Sequence, residues 1–411
     1  MPKSNKIPKK INLDYTASVL PNPSSIHEFG VKAKKKLQNS RREVADFLSA
    51  KPEEIIFTSG GTESNNLAIQ GVVLAWHEDK KENKQEKTLP HIITTNIEHP
   101  SVLETFKLLQ KRNLAQVSIV GVELNGIIDP RKIKKEIKSN TILISVMYAN
   151  NEIGTIQPIK EITKMIRHWK NLIPSPLSLV RRGVGERCIF PLFHTDAVQA
   201  VNYLDVNVER LGVDLLSLSG SKIEGAGKIG VLYKRRMVKL AKIFGGGDQE
   251  MGLRPGTENL PEILKFSLAL QSMQKTKEKE AKRLTILRNY FFYQLSHSNI
   301  LTNFRITING DLQKRLPNNV NITFPNLPSD LLVIELSSKG IMASAKSACK
   351  SSNIEGSYVI KAIHQMQGKT LYNSEIGGVR FSLGRQTTKK DIDYTIKTLS
   401  QILTKLKKWY N

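Results

Sequence analysis

The sequence predicts an α/β protein: a larger domain built on a mostly parallel sheet with helices on both faces, then a smaller α+β domain. Three observations carry this. Up to about residue 235, apolar strand-like runs alternate with helical stretches, the signature of repeated βα units. At 411 residues the chain is long for one domain. Beyond about residue 297 the pattern changes to short strands and a closing helix.

Taken in order, residues 1–11 form a basic tail, INLDYTAS a short strand, and NPSSIHEFG a loop before a helix from Val31 to Ser49. EEIIFTSGGTESNNLAIQGVVLAW reads as strand, glycine turn and helix, and residues 77–90 as a charged surface loop. HIITTNIEHPSVLETFKLLQ repeats the unit, with Pro100 where a first helical turn tolerates it. QVSIVGVE is a strand, Asp129-Pro130 caps a helix through Ile137, TILISVMYANNEIG is a strand, and IKEITKMIRHW a helix. Residues 171–187 exceed the roughly 2–6 residues of an ordinary connection in such folds and predict a surface insertion. CIFPLFHTDAVQA resumes as a strand ending at Asp196; Leu215–Leu218 and Ile229–Tyr233 are two more, joined by a glycine-rich bend. The loop FGGGDQEMGLRPGTEN precedes a long helical region that Pro261 opens and that runs to about His297. FRITING, NNVNITF, LLVIELSSKGIMAS, a cysteine loop, VRFSLG and a helix from Lys389 to Lys407 make up the smaller domain. The expected boundaries are 12–258 and 259–411.

Composition excludes several classes. Hydrophobic content of 39% suits a globular chain, and no apolar run is long enough to span a membrane. The first residues lack the apolar segment of a secretory signal, and two cysteines, Cys188 and Cys349, give no disulfide framework; both point to a cytoplasmic setting. Net charge is +25, from 62 Lys and Arg against 37 Asp and Glu. The lysines are interspersed with acids, as in HEDKKENKQEK, with no basic run interleaved with aromatics. A solvated surface accounts for this better than nucleic-acid binding.

In open α/β sheets ligands bind beyond the carboxyl ends of the strands, so the residues following each strand are the candidates. After EEIIFTS come Gly61 and Thr62, opening a helix: a phosphate site, or a tight turn with a threonine cap. After HIITTN comes His99, an imidazole able to cover a planar ring and move protons, or a surface residue. After TILISVMYA come Asn150, Asn151 and Glu152, amides for a cofactor or substrate oxygen, or turn caps. After IFPLFHT comes Asp196, with Gln199 one turn on; the carboxylate needs a partner, either a protonated ring nitrogen or an arginine or backbone cap. After LLSL come Ser219, Ser221 and Lys222. A lysine held between two buried strands is costly unless paired or chemically occupied. Burial favours its neutral amine, which attacks an aldehyde, and pyridoxal phosphate is the usual one.

Cys349 lies in the small, polar stretch SAKSACKSSNIEGSY, flanked by Lys346 and Lys350, which favours a reactive thiolate; Cys188, beside Ile189 and Phe190, reads as core or strand edge. Arg380 in GGVRFSLGR suits a substrate carboxylate, or a buried ion pair.

FTSGGTESNNLAIQG, EHPSVLET, ANNEIGTIQPI, HTDAVQA, SGSKIEGAGKIG, RPGTEN, SACKSS and RFSLGRQTT occur in the order found in the cysteine desulfurases, which the chain resembles over nearly its whole length. These are pyridoxal phosphate enzymes of the class V aminotransferase group with an aspartate aminotransferase-like fold. The resemblance implies that Lys222 carries the cofactor as a Schiff base and later acts as general acid and base. Gly61, Thr62, Ser219 and Ser221 would line the phosphate, with Thr257 reaching it from the other subunit of a homodimer. His99 would stack on the ring, Asp196 pair with its nitrogen, and Gln199 contact its hydroxyl oxygen. Asn151 and Arg380 would hold the carboxylate of L-cysteine. Cys349 would take its sulfur, leaving alanine and a persulfide that passes to an iron–sulfur scaffold or a tRNA-thiolation relay. No resident metal is implied; Cys349 would at most share an iron–sulfur cluster transiently with a scaffold. The chain departs from the family at Ser221 (usually histidine), at Lys346 (usually glycine), in a short link before NPSSIHEFG, and in the extra residues 171–187. Selenocysteine lysis or transamination on the same fold, and a non-catalytic partner-binding paralogue, are the alternatives.

Overall fold

The computed structural model describes residues 20–82, 89–172, 178–180, 187–298, 300–304, 306–324, 327–345, 356–364 and 378–410. The expected tail and first strand (residues 1–18), and the cysteine loop with Lys346 and Cys349, lie outside them. The first elements are α1 (Glu28–Leu48), β1 (Ile55–Thr58), α2 (Gly61–Glu82), β2 (His91–Thr95), α3 (Pro100–Lys111), β3 (Gln116–Val120), α4 (Pro130–Glu136), β4 (Thr141–Ser145) and α5 (Ile159–Leu172). Then follow β5 (Ser178–Val180), β6 (Arg187–Ile189), β7 (Leu192–Asp196), α6 (Val208–Leu211), β8 (Leu215–Ser219), β9 (Gly230–Lys234), α7 (Leu260–His297) and α8 (Ile300–Asn303). The last are β10 (Thr307–Ile308), β11 (Asn319–Thr323), α9 (Ser329–Ser338), α10 (Tyr358–His364), β12 (Gly378–Ser382) and α11 (Lys389–Tyr410).

Seven strands form one sheet in the order β1-β9-β8-β7-β4-β2-β3. Pairings from β8 through β7, β4 and β2 to β3 are all parallel. β9 runs antiparallel to both neighbours, so it alone is reversed. Side chains alternate across the sheet, because successive strand residues face opposite sides. Ile56, Ile92, Leu215 and Leu232 pack with Leu67, Val72 and Trp76 of α2 and Phe106 of α3. Ile55, Phe57, Ile93, Leu216 and Val231 pack with α1, α5 and the first half of α7. A three-stranded antiparallel sheet, β10-β11-β12, has its own core with the second half of α7, α9 and α11. The 38-residue α7 therefore belongs to both cores. Among the described residues no helix is long and apolar enough to cross a membrane.

Three expectations are corrected. The charged segment expected to be a loop from residue 77 is helical to Glu82, since its Lys and Glu are good helix formers and Lys80 and Lys81 sit favourably in the last turn. The first helix starts at Glu28, capped by the His27 ring, which accepts from Gly30 N. The run from Cys188 to Asp196 is two strands: Ile189 and Cys188 pair with β5, and the sheet strand starts only after Pro191, which has no N–H to donate. β5 lies within the expected insertion and pairs antiparallel with β6, which starts at the insertion's last residue.

One buried ion pair locks α1 to the sheet edge. Arg41 donates two bonds to Glu250, at 2.6 and 2.7 Å, and a third to Ile55 O, while Glu250 also accepts from Phe57 N at 2.8 Å. Glu98, after β2, is wholly buried; burial pushes its carboxyl up to about 8, against the pull of hydrogen bonds from Met147 N and Thr95.

Two expectations follow for stability. Arg41→Ala strands the buried Glu250 carboxylate and lowers the unfolding free energy by about 3–5 kcal/mol in urea titration, whereas Arg41→Met with Glu250→Leu costs less because no charge is left alone. Glu98 stays protonated in the folded chain up to about pH 8, while the unfolded chain releases that proton near its ordinary value of 4.5. Its contribution to stability is therefore full at low pH and declines as pH rises through that window. Glu98→Gln should flatten this part of the stability–pH curve, and should be more stable than the parent above pH 8 relative to pH 5.

Candidate active site

The parallel strands deliver their following loops to one edge of the sheet, and there Gly61, Thr62, His99, Asn151, Asp196, Gln199, Ser219, Ser221, Lys222 and Arg380 line one cavity of about 430 Å³. Arg380 comes from β12 of the small sheet, so the cavity lies where the two sheets' units meet.

Beyond β1, α2 begins at Gly61. A Cβ there would come within 2.9 Å of Val198 Cγ2 and 3.3 Å of Ser219 Cβ, so glycine is what lets the helix N-terminus sit against the loop after β8. The Ser219 and Ser221 hydroxyls lie 2.9 Å apart beside it. Free helix-terminal N–H groups and two hydroxyls form an anion site.

His99 caps α3, with Nδ1 at 2.8 Å from Ser101 Oγ and accepting from Ser101 N. Burial holds its pKa below the ordinary 6.5; Asp196 opposes this and Lys222 adds to it. After β4 the two asparagines divide the expected roles. Asn150 is a buried turn cap, accepting from Glu152 N and Ile153 N. Asn151 faces the cavity, and its Oδ1 is buried without a partner. Arg380 Nη1 donates to Asn151 O at 3.0 Å, while its Nε is likewise buried and unpartnered. Burial lowers the Arg380 pKa, and the charge of Glu152 opposes that. An adjacent unpaired amide oxygen and guanidinium N–H fit an amino acid's polar end.

Asp196 ends β7 and is 5% exposed. One oxygen accepts from Val198 N at 3.0 Å, the other from Asn65 Nδ2 at 2.7 Å. Among the described residues no lysine or arginine forms an ion pair with it, which leaves its charge available to a cationic group in the cavity. Lys222 ends a short 3₁₀ turn, Gly220–Lys222. Here the sequence reading is corrected: Lys222 is exposed, not buried between strands, because the turn lifts it out of the sheet onto the open cavity wall. Solvation thus removes the burial cost invoked for it. Thr257 is exposed on the loop after β9, whose Arg254 pairs with Glu63 at 3.1 Å, and it does not line this cavity.

Residues absent from the sequence reading also contribute: Asn65, Ser101, Met147, Val198, Asn202, Tyr203, Asn318 and Ser382. Asn65 had a readable signal. It follows Gly61 by four residues, one turn along the same helix face, and asparagine is a poor interior helix residue without a specific partner. Taken together, the anion site, Asp196 with no ion-pair partner among the described residues, the amine of Lys222 and the His99 ring fit a planar, phosphate-bearing aldehyde. Among the described residues no group of three or more His, Cys, Asp or Glu is placed to hold a metal.

The chain matches the aminotransferase class-V family over residues 3–174 and 190–395. The break falls within and just after the segment read as an insertion. It is 39% identical over 389 residues to the cysteine desulfurase IscS of Dictyoglomus turgidum, covering 94% of this chain and 88% of that one. Against the cysteine desulfurase IscS of Methanosarcina thermophila identity is 38% over 395 residues, covering 96% and 88%. Among solved structures, a NifS-like protein superposes with a TM-score of 0.76 at 31% identity, covering 93% of this chain and 91% of that one. SspA in complex with cysteine gives 0.66 at 30%, covering 88% and 90%. With matches spanning the large and small sheets alike, the chain belongs to the aminotransferase class-V family and, within it, to the cysteine desulfurases.

Proposed function

We propose that the chain is a pyridoxal phosphate-dependent cysteine desulfurase, converting L-cysteine to L-alanine and storing the sulfur as a persulfide on Cys349. The observation that carries the reading is the single cavity shared by Lys222, Asp196, His99 and the Gly61 helix terminus, with Asn151 Oδ1 and Arg380 Nε left unpaired in its wall.

Pyridoxal 5′-phosphate, when bound, supplies an aldehyde that condenses with amines and a ring that draws electrons from the substrate's α-carbon. The N–H groups at Gly61 and Thr62, with the Ser219 and Ser221 hydroxyls, would hold the phosphate. Asp196 would partner the ring nitrogen, Gln199 the ring hydroxyl oxygen, and His99 would lie beside the ring. Lys222 would hold the cofactor through its amine and serve as the proton carrier at the substrate. Arg380 and Asn151 orient the cysteine carboxylate. The Cys349 thiolate attacks the substrate sulfur: an S–S bond forms as the Cβ–S bond breaks, and the carbon takes a proton to become the methyl group of alanine. The persulfide then passes to an iron–sulfur scaffold or a tRNA-thiolation relay. The enzyme works as a cytoplasmic homodimer, with Thr257 reaching the partner's phosphate site.

Visible spectroscopy tests this directly. Loaded protein should be yellow, change colour with L-cysteine, and release alanine. Lys222→Ala should lose the wild-type band; Cys349→Ser should keep it and form no alanine by sulfur transfer. Wild type that stays colourless when saturated with pyridoxal phosphate sinks the proposal. Arg380→Ala should raise KM for L-cysteine by about 10- to 100-fold, the loss of a charge-assisted hydrogen bond, measured by steady-state alanine formation.

A further inference from the structure

We infer that Asn202 is a positioning residue for the reaction, setting the place of Lys222 by holding its backbone. The inference rests on the function proposed above. The Asn202 side-chain amide donates to the Lys222 carbonyl oxygen at 2.6 Å, a contact twenty residues apart in sequence. The rest of the lysine turn is held by backbone bonds: Gly220 N donates to Ile229 O, Ile223 N to Gly220 O, and Ala226 N to Ile223 O. Just downstream come Gly225 and Gly227, both with positive φ, and a Cβ on Gly225 would meet nothing within 4 Å. None of these backbone bonds reaches the Lys222 carbonyl, so among the described residues the Asn202 amide is the side-chain tether on the lysine's own backbone.

Asn202 is attached to the other charged group of the site. Asp196 Oδ1 accepts from Val198 N, opening a run of turns closed by Ala200 N and Val201 N to Ala197 O and by Tyr203 N to Ala200 O. That run carries Gln199 and ends at Asn202. The acid at 196 and the backbone of residue 222 are thus linked through the five residues from Val198 to Asn202, with a side-chain hydrogen bond at each end. Asn202, Tyr203, Lys222 and Ser382 also form the wall between the cavity described above and a second one of about 480 Å³, lined by α7 and residues 384–387. Cutting the tether would loosen both the spacing of acid and amine and this partition.

The test uses loaded full-length enzyme. Asn202→Ala should lower kcat for alanine formation about tenfold, the scale of one lost hydrogen bond, with KM for L-cysteine changed less than about twofold. It should also move the pH midpoint of the visible band and slow capture of pyridoxal phosphate by stripped protein, while the thermal unfolding midpoint stays near wild type. Asn202→Gln, which keeps the amide donor, should recover part of each loss; Asn202→Asp, which turns an acceptor toward the carbonyl, should not. A wild-type band midpoint and capture rate in Asn202→Ala would overturn the inference, as would losses that scale only with a lowered unfolding midpoint. A wild type without colour or turnover would instead defeat the underlying function.

Discussion

A carboxylate taken out of water with no cation beside it has to be held by dipoles, and the site is arranged around how Asp196 meets that demand. One of its oxygens takes the Val198 N–H and so starts the turn segment leading to Asn202 and the Lys222 carbonyl. The other takes the Asn65 amide, which also donates to Ser101 Oγ, itself bonded to the His99 ring. Through Asn65 the acid fixes the first turn of α2 and hence the Gly61 terminus. One buried charge therefore ties together the loops that follow β1, β2, β7 and β8. Moving any one of them would leave an unpaired polar group in a place water reaches poorly, which is why the four hold a common geometry.

The sheet makes this economy of contacts feasible. Parallel strands put every following loop at the same edge, and the reversed β9 lets the lysine turn be a short hairpin instead of a long crossover. β9 starts at Gly230, where a Cβ would stand 2.2 Å from Thr58 Oγ1 and 2.5 Å from Gly60. Only a glycine lets that strand enter directly under the turn that leads into α2. The Arg41–Glu250 pair then holds the edge strand β1 against α1 from the far side, so the turn is backed by a fixed element.

Most of the architecture was legible because strand and helix periods are strong and local. The strand-end rule brought Gly61, His99, Asn151, Asp196 and Lys222 together without any knowledge of which strands pair. What escaped depends on contacts across the chain. The exposure of Lys222 is set by how a three-residue turn leaves the sheet, and flanking hydrophobicity does not encode that. Asn202 gains meaning only from a carbonyl twenty residues away. Asn150 and Asn151 are identical in type and adjacent, yet one caps a turn and the other faces the cavity; only backbone direction separates them. Helix α2 continues through the charged stretch to Glu82 because lysine and glutamate are good helix residues, so charge alone does not mark a loop.

The small sheet joins the site chiefly through Arg380, with Ser382 of the same strand also on the cavity wall. Arg380 lends its side chain to Asn151, and its backbone exchanges two hydrogen bonds with Ser344, at 2.7 and 3.1 Å. Farther along, Ser357 Oγ bonds to Glu152 and Tyr358 OH donates to the carbonyl of Glu98 at 2.6 Å. The chain on both sides of Cys349 is thus anchored to the same few residues that surround the proposed substrate carboxylate. Cys349 stands five positions after Ser344, a separation whose Cα–Cα span cannot exceed about 17 Å in any conformation. In the proposed reaction a nucleophile on so short a leash would act at an effective concentration on the order of millimolar. That concentration does not depend on partners in solution, and a site whose product sulfur must stay on protein requires this independence.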